Sequence, residues 1–151
     1  FGRFWRKEER IMGEEVDLVL ETSLPFFGEH DHIPTYIYGI YLHGTKKKIG
    51  YCDLRCGMSE EIYYAGNIGY RINDGYRGHH YAQKACRLLF TVAKQKQMRE
   101  LLITCSPENI ASRLTLEHLG GELIETVQVP HRHWLYARGE IWKNIYRFQL
   151  L

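Results

Sequence analysis

The residues best suited to chemistry follow one another at positions 77–82, Arg-Gly-His-His-Tyr-Ala. The arginine and the glycine stand directly before a segment in which apolar residues recur with helical spacing, from Ala82 to Ala93. A helix that begins just after a glycine presents free backbone N–H groups to an anion, and the helix dipole adds to the attraction. The pattern predicts a phosphate-binding site at the start of this helix.

The simpler alternative is an ordinary connection between a strand and a helix. The strand would be Asn67–Ile72, which places Ile68, Tyr70 and Ile72 on one face, and Asn73-Asp74-Gly75 would be the turn. The loop contains neither the G-x-G-x-x-G pattern of dinucleotide-binding proteins nor the Gly-Lys-Ser/Thr of a Walker A loop. If this loop binds phosphate, the protein is therefore neither a dinucleotide-binding protein of that pattern nor a Walker A nucleotide-binding protein.

A second segment of the sequence weakens the alternative that residues 77–82 are only an ordinary strand-to-helix connection. Residues 101–105, Leu-Leu-Ile-Thr-Cys, form a short apolar run typical of a buried strand. Ser106-Pro107-Glu108-Asn109 follows as a helix-start signal, with Asn109 as the N-cap. Ile110–Leu119 then predicts a helix, and Gly120-Gly121 supplies its end.

Together the two segments resemble the GCN5-related N-acetyltransferase (GNAT) family. The pyrophosphate-binding loop of that family runs Arg or Gln, two residues, Gly, one residue, then Gly or Ala. Arg77 and Ala82 match its ends, whereas His80 stands where the family usually has glycine. The family's next motif opens a helix with Asn and closes on Leu-Gly, and the matching residues are Asn109, Ala111, Ser112, Leu119 and Gly120. The similarity is sharp over residues 35–127, and its wording is closest to the ribosomal-protein N-acetyltransferase-like branch.

The resemblance implies an α+β fold in a single domain, residues 1–151, a length that suits one domain. The sheet would be central, twisted and mostly antiparallel, with about seven strands flanked by helices and a splay between strands four and five. The strands expected from the sequence are Glu15–Glu21, Thr35–Leu42, Lys48–Arg55, Ile62–Ile72, Leu101–Cys105, Glu122–Val129 and Trp142–Leu150, with loops at Pro25–Pro34 and Pro130–Glu140.

The resemblance also implies the reaction, which moves an acetyl group from acetyl-CoA to a primary amine of a small molecule, a peptide N-terminus or a lysine. The cofactor's pyrophosphate would lie on the N–H groups from Gly78 to Ala82, beside the charge of Arg77. The pantetheine arm would pair with the strand near Tyr70 and Ile72. The expected cofactor-binding residues are Tyr70, Ile72, Arg77, Gly78, His79, His80, Tyr81, Ala82, Asn109 and Ser112.

Catalytic residues are harder to assign. Many family members use a tyrosine of the second helix to protonate the leaving thiolate, and Leu116 stands near that position. Many also use a glutamate on the fourth strand as the base, and Asn67 stands at about that place. An amide cannot take up a proton at neutral pH. We therefore expect Asn67 to orient a water molecule or the amine.

The resemblance also implies that two aromatic loops lie near the acceptor entrance. Phe26 and Phe27 belong to the first, and packing is favoured over acceptor contact for both. His131, His133, Trp134 and Tyr136 belong to the second, for which a surface loop with packed aromatics is the alternative. In the first loop, His30-Asp31-His32 lacks a third placed ligand, so we expect a solvated loop and no metal.

The charge, the cysteine content and the hydropathy of the sequence limit the kinds of partner that the protein can have. A net charge of +2 and a pI of about 8.4 are too mild to indicate nucleic acid, but they agree with an anionic cofactor. Four cysteines without a C-x-x-C pair predict buried free thiols in a reducing, cytoplasmic setting. No apolar run approaches the roughly 18 residues of a membrane span, so no membrane partner is expected.

Two other functions stay open on the sequence. The residues His80, Leu116 and Asn67 are compatible with a non-catalytic acyl-CoA-binding module. The basic segment Phe1–Arg10 and the turn Lys46–Lys48 are compatible with a nucleic-acid-binding or partner-binding α+β domain. The family resemblance also admits a homodimer formed through the last strands.

Overall fold

The computed structural model describes residues 9–28 and 32–150. Eight strands lie within these ranges: β1 Arg10–Met12, β2 Val16–Leu24, β3 Thr35–Leu42, β4 Lys48–Arg55, β5 Ile68–Ile72, β6 Glu100–Cys105, β7 Glu122–Gln128 and β8 Trp142–Gln149. The helices within the same ranges are α1 Glu60–Ala65, a 3-10 turn at Asp74–Tyr76, α2 Tyr81–Gln95, α3 Ile110–His118 and α4 Trp134–Ala137.

The strands form two antiparallel sheets that separate between β5 and β6. The first sheet has the order β1-β2-β3-β4-β5, and the second has the order β6-β8-β7. This arrangement confirms the α+β GNAT fold expected from the sequence. The splay was expected between strands four and five and lies between β5 and β6. The numbers differ by one because the short β1, which pairs with β2, precedes the first predicted strand.

The prediction of one strand over Ile62–Ile72 is wrong at its beginning. Glu60–Ala65 is a helix, because Ser59 caps it with a side-chain oxygen that accepts the Ile62 N–H at 3.1 Å. Glu60 and Glu61 in the first turn also favour the helix through its dipole. Gly66, at φ +85°, ends the helix, and β5 then begins at Ile68.

The loop predicted over Pro130–Glu140 is also only partly correct. It contains the short helix α4, which His133 caps by accepting the Leu135 N–H on its Nδ1 atom at 3.1 Å. A histidine cap is not one of the usual Ser, Thr, Asp or Asn signals, so the helix start was not visible in the sequence. Phe1–Glu8 and the His30-Asp31 pair of the proposed histidine loop lie outside the described residues.

Helix α2 lies across the splay and contacts both sheets. Its buried face carries Ala85, Cys86, Leu89, Val92 and Ala93, which is the apolar spacing seen in the sequence. The helix packs on β2, β4 and β5 of the first sheet. It also reaches the second sheet, where the rings of Phe90 and Phe148 lie 5.3 Å apart. The N-terminus of α2 is thereby held at the mouth of the splay.

The two sheets are tied together at the start of β5. The Asn67 N–H donates to the Leu102 carbonyl at 2.7 Å, and its Oδ1 accepts the Leu102 N–H at 2.8 Å. Its Nδ2 donates to the carbonyls of Arg55 and Gly57 at 2.9 and 2.8 Å. Beside it, a Cβ on Gly66 would lie 3.2 Å from the Thr104 nitrogen, so this backbone approach favours glycine. Beyond this tie β5 and β6 diverge into separate sheets.

At the opposite end of the first sheet, the Asp17 carboxylate joins the β1–β2 and β3–β4 turns. It accepts hydrogen bonds from the N–H groups of Gly13 and Gly44, from the Arg10 guanidinium and from His43 Nδ1. Burial alone would raise the pKa of Asp17, but these hydrogen bonds outweigh burial and lower it to about 2.

Asp17→Asn is expected to destabilise the protein at neutral pH and to have a much smaller effect in acid. At any pH above the ordinary pKa of aspartate, the lowered pKa of Asp17 stabilises the folded state by about 2 kcal/mol. This stabilisation is lost as the pH falls from about 4 to about 2. Urea unfolding at about pH 6 and about pH 2 measures it, with the exposed neighbour Glu14→Gln as the control. An equal loss at both pH values would contradict the pKa argument.

Candidate active site

A cavity of about 500 Å³ opens where β5, the loop before α2 and the first turns of α3 meet. Nine of the ten residues expected to bind the cofactor line it, and His79 does not. Its full lining is Tyr70, Arg71, Ile72, Tyr76, Arg77, Gly78, His80, Tyr81, Ala82, Asn109, Ala111, Ser112, Leu114, Thr115 and His118. The fold thus gathers two motifs that are some thirty residues apart in the sequence.

The loop before α2 owes its shape to two residues with left-handed backbone conformations. Gly78 has φ +87°, and no atom lies within 4 Å of the place where its Cβ would be. His80 has φ +63° and ψ +22°, a conformation that costs a residue with a Cβ about 1–2 kcal/mol. The glycine usual at this place in the family suits that conformation, and here histidine adopts it. The residues at the start of α2, His80, Tyr81 and Ala82, consequently line the cavity.

Arg77 holds the loop before α2 in place through its own contacts, a role that its charge alone did not predict. Its Nε donates to the Ile72 carbonyl at 3.1 Å, and its guanidinium pairs with Asp74 at 3.2 Å. The side chain is 56% exposed, so its charge remains accessible to an anion in the cavity. Arg77 therefore fixes the end of β5 against the loop while it contributes positive charge.

Several cavity residues were missed by sequence reasoning. Arg71 and Tyr76 come from β5 and the 3-10 turn, and Leu114, Thr115 and His118 come from α3. The signal for the α3 residues was present in the spacing, because positions 111, 114–115 and 118 share one helical face. The imidazoles of His118 and His80 lie 6.3 Å apart, so two histidine rings lie beside the loop before α2.

The start of α3 is the other wall of the cavity, and it follows the predicted cap. Asn109 Oδ1 accepts the Ser112 N–H at 3.1 Å, which confirms Asn109 as the N-cap. The Ser112 hydroxyl in turn accepts the Tyr70 hydroxyl at 3.3 Å. This contact crosses the splay and joins β5 of the first sheet to α3.

A second cavity, of about 280 Å³, lies on the other side of this contact. It is polar, and each of its carboxylates is paired with a cation: Asp53 with Arg55 at 2.8 Å, and Glu140 with Lys143 at 2.6 Å and with Arg138 at 3.6 Å. Its full lining is Tyr51, Asp53, Arg55, Ala65, Ile68, Gly69, Tyr70, Thr104, Cys105, Ser106, Asn109, Ser112, Trp134, Leu135, Arg138, Glu140 and Lys143. Tyr70, Asn109 and Ser112 line both cavities.

The aromatic loops expected near an acceptor entrance reach this second cavity in part. Trp134 and Arg138 line it directly. Phe27 packs behind it, with its ring 4.5 Å from the Arg55 guanidinium carbon and 6.2 Å from the Trp134 ring. Phe26 is 47% exposed. His131 stacks on Tyr136 at 4.3 Å, and neither of them lines the cavity.

The structure assigns Asn67 and Leu116 to the protein interior. Asn67 is 1% exposed, and both atoms of its amide are engaged in the hydrogen bonds that tie the sheets. It lines neither cavity, so this arrangement favours a structural role over the orientation of water or amine. Leu116 is fully buried in the core.

Burial raises the thiol pKa of all four cysteines, which disfavours a thiolate nucleophile at neutral pH. Burial raises the pKa of the Cys52 thiol well above its usual value and that of Cys86 to about 12. Burial likewise raises the pKa of Cys105, which lines the second cavity, to about 11. Within residues 9–28 and 32–150, no group of three or more His, Cys, Asp or Glu side chains is arranged to hold a metal ion.

Two cavities that share Tyr70, Asn109 and Ser112 as lining residues therefore lie at the splay between β5 and β6. The family described as Acetyltransferase (GNAT) domain matches residues 4–122, well over half of the sequence. The chain belongs to this family of acetyltransferases, which confirms the resemblance seen in the two motifs. No curated protein matches the sequence.

Solved structures share the fold at low sequence identity. A GNAT-family acetyltransferase from Bacillus anthracis is 22% identical over 76% of this chain and 66% of its own, with a TM-score of 0.60. A putative ribosomal-protein-serine acetyltransferase from Vibrio cholerae is 18% identical over 93% of this chain and 97% of its own, with a TM-score of 0.67. MccE, a microcin self-immunity acetyltransferase in complex with acetyl-CoA and AMP, is 20% identical over 76% and 61%, with a TM-score of 0.59.

These likenesses support the fold, and their coverage differs. The chain spans about two thirds or less of the Bacillus anthracis protein and of MccE, and nearly all of the Vibrio cholerae protein. Among the described residues, no helix combines the length and the apolar character needed to cross a membrane.

Proposed function

We propose that the protein is an N-acetyltransferase that moves an acetyl group from acetyl-CoA to a primary amine. One observation carries the proposal: two cavities meet at the splay, and one of them is bounded by a helix N-terminus whose loop presents backbone N–H groups. A pyrophosphate suits that loop, because both the N–H groups and the helix dipole attract an anion. The acceptor amine would approach through the second cavity.

The edge of β5 would hold the cofactor's arm. β5 is hydrogen-bonded to β4 and ends the first sheet, so its other side faces the splay. Backbone groups near Tyr70–Ile72 can pair with the amides of an extended arm in the way that an added strand would pair. The thioester would then reach the contact between Tyr70 and Ser112, where the two cavities join.

The acceptor cavity would serve mainly to position the amine. Asp53 and Glu140 offer carboxylates that can hold a cationic amine, although each already pairs with a neighbouring cation. Holding the neutral amine beside the thioester replaces a bimolecular encounter and can by itself remove several kcal/mol of the barrier. We propose a single catalytic domain in a reducing, cytoplasmic compartment, which four free cysteines support.

Acetyl-CoA is expected to raise the melting temperature, and Arg77→Glu is expected to abolish the rise. A ligand that binds only the folded form at about 100 times its Kd stabilises it by about 2.7 kcal/mol. For a chain of this size that corresponds to a shift of roughly 5–10 °C. Differential scanning fluorimetry with and without acetyl-CoA measures the shift.

The matched control for this experiment is Arg87→Glu, because Arg87 is exposed on α2 and lines neither cavity. It should keep the full shift. The absence of a shift in the wild-type protein at saturating acetyl-CoA would reject the cofactor site. A shift without thiol release, over a panel of small amines, peptides and lysine derivatives, would indicate a non-catalytic acyl-CoA-binding module.

A further inference from the structure

The hydroxyl pair of Tyr70 and Ser112 lies where the two cavities adjoin. Tyr70, Asn109 and Ser112 line both cavities, and the Tyr70 hydroxyl donates to the Ser112 oxygen at 3.3 Å. The Asn109 Oδ1 accepts a hydrogen bond from the Ser112 N–H and thereby fixes the position of the serine. In the proposed function, this junction is where the amine, the thioester carbon and the leaving sulfur must meet.

We infer that the Tyr70 hydroxyl relays a proton from the attacking amine to the leaving sulfur. The inference rests on the proposed acetyltransferase function. Attack forms the C–N bond and leaves the nitrogen with an extra proton, and departure breaks the C–S bond and leaves a thiolate. Tyr70 gives its hydroxyl proton to the sulfur and takes one from the nitrogen. The sum is an amide and a thiol, with the tyrosine unchanged.

The other groups near the junction are less suited to this transfer. The Asn67 amide is engaged in the tie between the sheets, and Leu116 has no proton to give. The carboxylates of Asp53 and Glu140 line the second cavity but not the first, and each is held by a cation. A tyrosine that lines both cavities can face both the nitrogen and the sulfur. No separate base is then required for the proton that a neutral amine releases during the attack.

The environment of Tyr70 keeps its hydroxyl protonated before the reaction. Burial is the largest influence and raises the pKa of Tyr70 to about 12, against the opposing effect of the Ser112 hydrogen bond. A relay needs the proton in place, because a tyrosinate could not donate it. The high pKa also favours giving and taking the proton in one concerted event over the accumulation of a tyrosinate.

Tyr70→Phe tests the relay because it removes the hydroxyl and retains the ring. We expect kcat to fall about 100-fold, the lower end of the range for general acid–base groups. The acetyl-CoA-induced melting shift and the KM for acetyl-CoA should stay close to those of the wild type. Tyr36→Phe and Tyr41→Phe are matched controls, because each removes a hydroxyl from a residue that lines neither cavity.

A change of leaving group separates proton transfer from positioning. The selenium analogue of acetyl-CoA releases a selenolate, which is a weaker base than a thiolate and leaves with less need for a proton. The ratio of wild-type to Tyr70→Phe rates should therefore shrink at least tenfold with the selenoester. An equal ratio with both cofactors, or a Tyr70→Phe kcat within about threefold of the wild type, would overturn the relay. Absence of wild-type turnover with any amine, despite a melting shift, would overturn the proposed function and the relay with it.

Discussion

Asn67→Ala is expected to lower the free energy of unfolding by about 2–5 kcal/mol. The substitution leaves the Leu102 N–H and the carbonyls of Arg55 and Gly57 without their side-chain partner at a buried site. Each buried group left unsatisfied costs about 1–3 kcal/mol, and water entry recovers part of that cost. Urea unfolding measures the loss.

The matched control is Asn109→Ala, which removes a helix cap on the exposed start of α3 and should cost about 1 kcal/mol. Because Asn67 ties the sheets, its variant should also increase amide hydrogen exchange in β5 and β6 more than in β2 and β3. A loss below about 1 kcal/mol, or an increase spread evenly over all strands, would contradict the role assigned to the tie.

Asn67 also shows what the sequence can and cannot specify. The sequence places it just before a strand and ahead of the loop that precedes α2, and the family pattern suggests a catalytic position. The residue that it bonds, Leu102, lies 35 positions further on. No local pattern encodes a hydrogen bond between strands so far apart, because such a contact depends on how the two sheets approach.

The strands and long helices were predictable for a different reason. Thr35–Leu42 and Lys48–Arg55 match the structure at both ends, since alternation, a turn glycine and a hairpin are local signals. Helix α1 was mistaken for strand because Ile62, Tyr63 and Tyr64 are β-formers, and the Ser59 cap and the Gly66 stop outweigh that propensity. Tertiary and capping effects decide such short segments.

The two cavities also differ in how far the sequence predicts them. The first was predictable because its two motifs occur in family order and each begins a helix. The second is built from residues on four strands and on the helices α1, α3 and α4, and its charged pairs, such as Asp53 with Arg55, carry no motif. The junction at Tyr70 became visible only once the sheets and α3 were placed together.

His80→Asp is expected to weaken acetyl-CoA binding about 100-fold or more without unfolding the protein. His80 lines the first cavity at the N-terminus of α2 in a left-handed conformation. Asp and Asn adopt this conformation more readily than other residues with a Cβ, and a negative charge there suits the helix dipole. The same charge opposes a pyrophosphate, because like charges about 4 Å apart near a protein surface cost about 4 kcal/mol.

His80→Asn is the matched neutral control, since it has the shape of aspartate and the same backbone tolerance without the charge. Both variants should unfold at or above the wild-type temperature in the absence of cofactor, while only His80→Asp should lose the acetyl-CoA-induced shift. Titration calorimetry at two salt concentrations gives the sharper reading, because electrostatic repulsion at an exposed loop is screened by salt and a steric effect is not. If the two variants bound acetyl-CoA equally well, the pyrophosphate would have to lie away from the start of α2, and the helix N-terminus would lose its assigned role.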